Sequence, residues 1–240
     1  MKNFLSNRDE VSKINTIFAM ILVMVGIAYY YLINLTSDLI WVVMCGFAFI
    51  AIPAFFTILH GIFTKRKDVT LLALGVLLLG ILGFASKLLH GIGQLTWYSY
   101  LYATAYALSG IFVFSMADKV AFGKTLLTKW WFIVAMAVLN IVPAILLYVI
   151  PENFVSSLIM IENIINILMY LAALGLGVYC IIKKKEPAFS YTYAIYTFLM
   201  TVAYICQIIG AGAIRWYNLF LMLGLVAIPY VLIYAVRCKE

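Results

Sequence analysis

The polar residues best suited to chemistry lie in a short stretch that closes a long apolar run. In SKLLHGIGQLTWY, which runs from Ser86 to Tyr98, Lys87, His90 and Gln94 recur at helical spacing. Side chains three or four residues apart share one face of an α-helix. Ionisable groups on an apolar helix are costly, so they indicate either a functional site or a helix end near water.

Glu162, in the stretch IENIIN, is the carboxylate best placed to pair with this stripe. It follows the turn PEN, and helix rise puts it ~10 Å below the outer membrane surface. A glutamate at that depth stays charged only with a counter-ion or water. We therefore predict that Glu162 faces the protein interior, either paired with Lys87 or protonated. In the alternative reading, Lys87 extends its ammonium to water at the outer interface and the stripe marks a helix end.

Three carboxamides complete the candidate set. Asn140 and Asn166 are predicted near the bilayer midplane, where an amide–amide hydrogen bond between adjacent helices would contribute about 1 kcal/mol. The alternative is a polar lining beneath Glu162. Gln207 occupies the position that corresponds to Lys87 in the repeat described below. The predicted ligand- or ion-binding residues are Glu162, Lys87, His90, Asn166, Asn140 and Gln207.

The elements that must position these residues are membrane-spanning helices. The chain has 240 residues, of which 67% are hydrophobic and only 10% charged, whereas a soluble domain carries about a quarter charged residues. A spanning helix needs ~20 apolar residues, and the runs are too long and too uniformly apolar for barrel strands. Eight runs qualify: 14–34, 39–63, 69–93, 96–117, 130–150, 155–182, 188–213 and 217–236. The fold class is therefore an all-α polytopic membrane protein.

The basic residues predict the orientation of the helices. Of the 16 lysines and arginines, only Lys87 and Arg215 would lie on the outer side if the N-terminus is cytoplasmic. Cytoplasmic loops of membrane proteins are rich in lysine and arginine. We therefore expect both termini in the cytoplasm and the chain in the plasma (inner) membrane. The net charge of +7 then reflects topology, and no nucleic-acid partner is implied.

The chain also contains a weak internal repeat. SKLLHGIGQLTWYSYLY, at 86–102, aligns with CQIIGAGAIRWYNLFLM, at 206–222, and the basic segment KRKDV at 65–69 aligns with KKKEP at 183–187. The pattern predicts two four-helix units with the same orientation, as in parallel-repeat transporters. The expected parts are a cytoplasmic segment 1–12, a first unit 13–119 and a second unit 120–240, which together form one membrane domain.

The spacing of the histidines and cysteines argues against a metal site or a cofactor, and the lack of a catalytic motif argues against an enzyme. His60 repeats the LHGI tetrapeptide of His90, but the two histidines should lie at opposite membrane faces and cannot share an ion. The four cysteines form no metal or redox spacing, and no catalytic motif is present. Aromatic residues at span ends, among them Trp216 and Tyr217, are predicted to form interfacial belts.

Two functional hypotheses lead, and a lipid-modifying enzyme that uses Glu162 and His90 comes third because it lacks a second activating residue. The first is a small membrane protein that binds or transports a small, amphipathic molecule in an outward-facing cavity between the two units. The second is an interaction or sensor subunit of a larger membrane complex, in which Lys87 and Glu162 form a structural latch. Both give the chain the lipid bilayer as a partner, and neither identifies the ligand or the partner protein.

Overall fold

We analysed the protein through a computed structural model of the full chain. It describes residues 2–32, 40–91, 116–123, 152–210 and 214–238, together with the single residues 114, 134 and 138. Within these ranges the protein is helical and no strand occurs.

Seven helices are described in full, and they account for six of the predicted spans. A short helical segment, 116–122, also lies between the fourth and fifth helices. The bounds are α1 Lys2–Ser6, α2 Arg8–Leu32, α3 Ile40–Phe63, α4 Lys67–Gly91, α5 Glu152–Ile182, α6 Pro187–Ile209 and α7 Ile214–Arg237.

The helices α2 to α7 are each long and apolar enough to cross a membrane. Together they give the chain the architecture of a multi-pass integral membrane protein, as the composition predicts. Their bounds match the predicted runs to within a few residues at most ends. The largest difference is at α2, which begins at Arg8 because its polar first turns continue the helix. The predicted spans 96–117 and 130–150 fall almost wholly outside the described residues.

The described helices pack as antiparallel neighbours around a continuous core. Helix α3 packs against α4, α5 against α6, and α6 against α7. The last helix, α7, also packs against α2 and α3, so it joins the N-terminal helices to the C-terminal ones. The buried apolar side chains of α2 to α7 form a single cluster. On the outer face of α2, Ile17, Met20, Met24 and Ile27 are exposed at helical spacing, as expected for contact with lipid.

Two tight turns define what we call the hairpin end of the bundle. Hairpin 1, residues 64–66, joins α3 to α4, and hairpin 2, residues 183–186, joins α5 to α6. The first turn of α2 and the last turn of α7 lie at this same end, because Arg237 Nε donates to Ser12 Oγ over 3.3 Å and Arg66 reaches the end of α7. The opposite end is called the far end.

The predicted N-terminal segment 1–12 is a folded part of this end. It consists of α1 and the start of α2, and α1 packs against α2 and α3. Leu5 of α1 is buried, and its carbonyl accepts a hydrogen bond from His60. The segment therefore closes one side of the hairpin end.

Small residues let consecutive helices approach closely. A Cβ placed on Gly80 of α4 would lie 2.9 Å from the Phe47 carbonyl oxygen of α3, and one on Gly177 of α5 would lie 3.2 Å from the Tyr193 ring of α6. Gly80 therefore serves the contact of α4 with the preceding helix, and Gly177 serves the contact of α5 with the following helix.

Candidate functional site

Two asparagines of α5 bury their side chains near the middle of that helix. Asn163 is buried, and Asn166 is only 1% exposed. The Oδ1 atom of Asn166 has no hydrogen-bond partner among the described residues. A buried polar group left without a partner costs about 1–3 kcal/mol, so this amide is not simple packing. It requires a polar partner supplied by water or a ligand, or by a part of the chain outside the described ranges.

Gln207 of α6 lies in the same part of the bundle as these asparagines. Helices α5 and α6 run antiparallel, with Gly177 against Tyr193 and Tyr170 against both Tyr196 and Tyr204. Continuing that register toward the far end places Gln207 level with Asn163, and Tyr204 level with Asn166. The Oε1 atom of Gln207 is buried and also has no partner among the described residues.

A tyrosine from α7 completes this layer. Gly224 of α7 packs against Met200 of α6, and the same antiparallel register places Tyr217 level with Gln207. Tyr217 is 4% exposed, whereas its neighbour Trp216 is exposed. The prediction that both belong to an interfacial belt is therefore wrong for Tyr217, because the helix turns its phenol ring inward. We call Asn163, Asn166, Gln207 and Tyr217 the polar layer.

Lys87 lies at the height of the polar layer. Gly83 of α4 contacts Phe47 of α3, which puts Lys87 level with Val43. Because α3 runs parallel to α7 with Gly46 against Met222, Val43 is in turn level with the first turns of α7. The Lys87 side chain is 5% exposed, so it is enclosed by protein and does not extend to the interface. These contacts establish the height of Lys87 and leave its lateral distance from the amides undefined.

The structure does not describe the side chains of the remaining predicted site residues. Glu162 and His90 are placed in α5 and α4 by their backbones, and their side chains are not described. Asn140 falls in a range that is not described at all. The Lys87–Glu162 ion pair and the Asn140–Asn166 hydrogen bond therefore stay predictions. Glu162 precedes Asn163 directly, which puts its backbone at the height of the polar layer.

A group of buried tyrosines continues from the polar layer toward the hairpin end. The Tyr170 ring stacks on Tyr204 with centroids 5.7 Å apart, and its hydroxyl lies 3.4 Å from that of Tyr196. Tyr193, one turn nearer the hairpin end, is fully buried, and its hydroxyl has no partner among the described residues. Hydroxyls and ring faces thus line the α5–α6 contact below the two unpartnered amides.

Polar side chains among α1, α2 and α3 are arranged differently, because each has at least one hydrogen-bond partner. Asn15 Nδ2 donates to Thr57 Oγ1 over 3.1 Å, and both residues are fully buried. His60 Nδ1 lies 2.9 Å from the Leu5 carbonyl oxygen, so this nitrogen carries the proton and donates it. The role that the structure gives His60 is to hold α1 against α3. Among the described residues, no three His, Cys, Asp or Glu side chains are grouped to hold a metal ion.

Hairpin 1 carries a buried arginine that binds the end of another helix. Arg66 is 4% exposed, and it donates to the carbonyls of Val236 over 2.9 Å and Ala235 over 3.2 Å. These carbonyls belong to the last turn of α7, where a helix has unpaired acceptors and a partial negative charge. Buried Asp68 lies 3.5 Å from Arg66 and 3.2 Å from Lys119, which joins the 116–122 segment to the hairpin.

Hairpin 2 also contacts the ends of two other parts of the chain. Lys185 Nζ donates over 2.5 Å to the carbonyl of Ala121, in the last turn of the 116–122 segment. Glu186 hydrogen-bonds the thiol of Cys238, just beyond the end of α7. Burial, followed by the nearby Glu186 carboxylate, raises the pKa of Cys238 to about 12. Each hairpin therefore contacts the ends of two other segments.

Sequence reasoning missed the buried charges and the internal tyrosines. Arg66 and Lys185 were taken as signals of topology and of the repeat, and Asp68 as a residue at a span end, whereas their contacts join them to helix ends more than fifty residues away. The tyrosines did carry a signal, since Tyr193, Tyr196, Tyr204 and Gln207 share one α6 stripe at helical spacing.

The polar layer can recognise a molecule that both donates and accepts hydrogen bonds. Each carboxamide has an NH₂ donor and an oxygen acceptor, and the adjacent tyrosines add ring faces and hydroxyls. A charged group on a bound molecule would lie at the same height in the bundle as Lys87. Compared with known proteins, the chain matches no family model, no curated protein and no solved structure at a significant level.

Proposed function

We propose that this membrane protein binds, and carries across the bilayer, a small amphipathic molecule whose polar group sits in the polar layer. The observation that carries the proposal is the pair of carboxamides, Asn166 and Gln207, whose buried oxygens lack partners among the described residues. The two oxygens are enclosed by protein, where an uncompensated polar atom is costly, so a site of this kind favours a polar ligand group.

The chemistry of the layer defines the ligand class. A hydroxyl, amide or carboxyl group donates and accepts hydrogen bonds and so complements a carboxamide. The apolar remainder of the ligand would lie against the rings of Tyr170 and Tyr204, which are stacked below the amides. Glu162 and Lys87 would then tune the charge that the site accepts, and Glu162 could relay a proton if transport is proton-coupled.

The position of the layer favours access from the far end. Gln207 lies twenty residues into α6, which is about 30 Å from the hairpin end and close to the thickness of the hydrocarbon core. With the lysine-rich hairpins in the cytoplasm, the far end is the outer side. This orientation supports an outward-facing site in the plasma membrane with both termini inside.

Two features support the predicted repeat of two four-helix units, on which this proposal builds. The hairpins have the same hydrogen-bond pattern, in which an amide bonds back three residues and the next bonds back five. The bonds are Lys65 to Ile62 and Arg66 to Gly61 in hairpin 1, and Lys184 to Ile181 and Lys185 to Cys180 in hairpin 2. Counted from these turns, Lys87 and Gln207 stand at equal heights, as the alignment of the repeat predicts.

The alternative function is an interaction or sensor subunit of a larger membrane complex. In that case Lys87 and Glu162 form a structural latch, and the exposed apolar faces of the spans contact a partner protein. No described contact favours it over lipid. We keep it as the outcome that a failed ligand search would support.

The proposal is tested by identifying what the purified protein retains. Wild-type protein and an Asn166→Leu/Gln207→Leu variant are purified in mild detergent and extracted for mass spectrometry of small molecules. We expect a species that the wild type retains and that the variant retains at least tenfold less, since one lost hydrogen bond of about 1.4 kcal/mol accounts for a factor of ten.

Asn15→Leu is the matched control for this experiment. It makes the same chemical change at a buried amide that already has a partner, Thr57, so ligand retention should stay at the wild-type level. Equal retention by wild type and the double variant would contradict the proposal. Co-purification of a protein partner, with no retained molecule, would support the interaction subunit instead.

A further inference from the structure

The two hairpins exchange contacts with helix ends across the hairpin end of the bundle. Arg66, in the first predicted unit, binds the last turn of α7, which ends the second unit. Lys185, in the second unit, binds the Ala121 carbonyl in the last turn of segment 116–122, the segment in which the first predicted unit passes into the second. We call these two contacts the crossed anchors. Each one holds a helix end to a turn that is distant from it along the chain.

The backbone of the anchoring turns is strained. Lys65 has a φ of 60°, Lys184 a φ of 51° and Glu186 a φ of 38°. These are all the non-glycine residues with positive φ in the part of the chain that the structure describes. A side-chain-bearing residue in the left-handed region costs roughly 1–2 kcal/mol. Such strain persists where the surroundings hold it, and it is often found in segments that switch between two arrangements.

We propose that the crossed anchors are the closed form of a cytoplasmic gate. With both anchors made, the hairpin end is shut and the polar layer faces outward. When they break, the strained turns relax, the last turns of α7 and of segment 116–122 move apart, and the path to the cytoplasm opens. This gate rests on the proposed function, because it supplies the inward-open state that a transporter needs.

A native thiol reports on this opening. Cys238 lies between the anchored end of α7 and Glu186 of hairpin 2, and it is 2% exposed. Cys206, next to Gln207 on α6, reports on the opposite side of the molecule. Exchanging Cys45 and Cys180 for serine leaves one reporter thiol at each end.

The experiment measures labelling of these two thiols by a membrane-impermeant maleimide in sealed vesicles of each orientation. The variants are Arg66→Gln and Lys185→Gln, with the exposed neighbour Lys67→Gln as the matched control for the loss of one charge. We expect Cys238 to react about tenfold faster from the hairpin side in both anchor variants, and Cys206 to react more slowly from the far side. A tenfold shift from the closed to the open population needs the loss of about 1.4 kcal/mol of stabilising contacts. The control removes neither anchor, so its labelling rates should match those of the wild type.

Two results would overturn the gate. One is a wild-type rate at Cys238 in a folded Lys185→Gln protein, which remains informative even if Arg66→Gln does not fold. The other is faster labelling of both thiols, which indicates general loosening. No ligand is used, so an unchanged Cys238 refutes the gate alone, whereas equal ligand retention in the mass-spectrometry experiment refutes the ligand site alone.

Discussion

The hairpin end and the polar layer differ in whether each polar side chain has at least one hydrogen-bond partner. At the hairpin end, Arg66 has two carbonyl acceptors, His60 has the Leu5 carbonyl, and Lys185 has the Ala121 carbonyl, although Arg66 Nε and His60 Nε2 are buried without a partner among the described residues. In the polar layer, the oxygens of Asn166 and Gln207 have no partner among the described residues. Both regions lie inside the same packed bundle, so exposure to solvent does not explain the difference.

On the proposed function, this contrast separates polar residues that hold the fold from those that would bind a ligand. A satisfied buried hydrogen bond contributes a modest net stabilisation, whereas an unsatisfied one is a cost that a protein retains when it serves another purpose. Arg66 and Asn15 therefore belong to the architecture of the bundle. Asn166 and Gln207 are the residues to examine for ligand binding.

The largest expected effect is the loss of the Arg66 anchor. Arg66→Gln removes a buried guanidinium from two carbonyls and from Asp68, and breaking a buried charged contact typically costs about 3 kcal/mol or more. We expect a clear fall in thermal stability in detergent, measured by a fluorescence melting curve. Lys67→Gln should stay within about 0.5 kcal/mol, because Lys67 is exposed. Equal losses in the two variants would mean that only the charge of the hairpin matters.

A smaller effect, of opposite sign, is expected from relieving strain in the turns. Lys65→Gly and Lys184→Gly each place glycine at a positive φ, where it has no steric penalty, and each should stabilise the protein by about 0.5–1 kcal/mol. Lys183→Gly is the control, because Lys183 is in the same turn without a positive φ. If all three substitutions destabilise the protein alike, the turns store no strain.

Much of the architecture could be predicted from the sequence because lipid imposes a simple rule on it. Long apolar runs had to be helices, and their bounds agree closely with α3 and α4 as observed. Lysines at the turns marked one side of the membrane. These features depend on local composition, which a single sequence shows directly.

The site was less predictable because it depends on how helices rotate and pair. Nothing in the local sequence distinguishes Asn15, which has a partner, from Asn166, whose oxygen has none in the described part of the chain, or the buried Tyr217 from the exposed Trp216. The reach of Arg66 to the end of α7 depends on a packing contact between distant segments. The Lys87–Glu162 pair stays a prediction for the same reason.

The most direct test of the account compares the thermal stability of Asn166→Leu and Asn15→Leu in detergent without added ligand. Removing Asn15 breaks its bond with Thr57, so Asn15→Leu should destabilise the protein by about 1 kcal/mol or more. Asn166→Leu removes an oxygen for which the described ranges supply no partner, so stability should be unchanged or higher. An Asn166→Leu protein that is destabilised as much as Asn15→Leu would contradict the central claim. It would mean that Asn166 is a structural contact and that the polar layer is not a binding site.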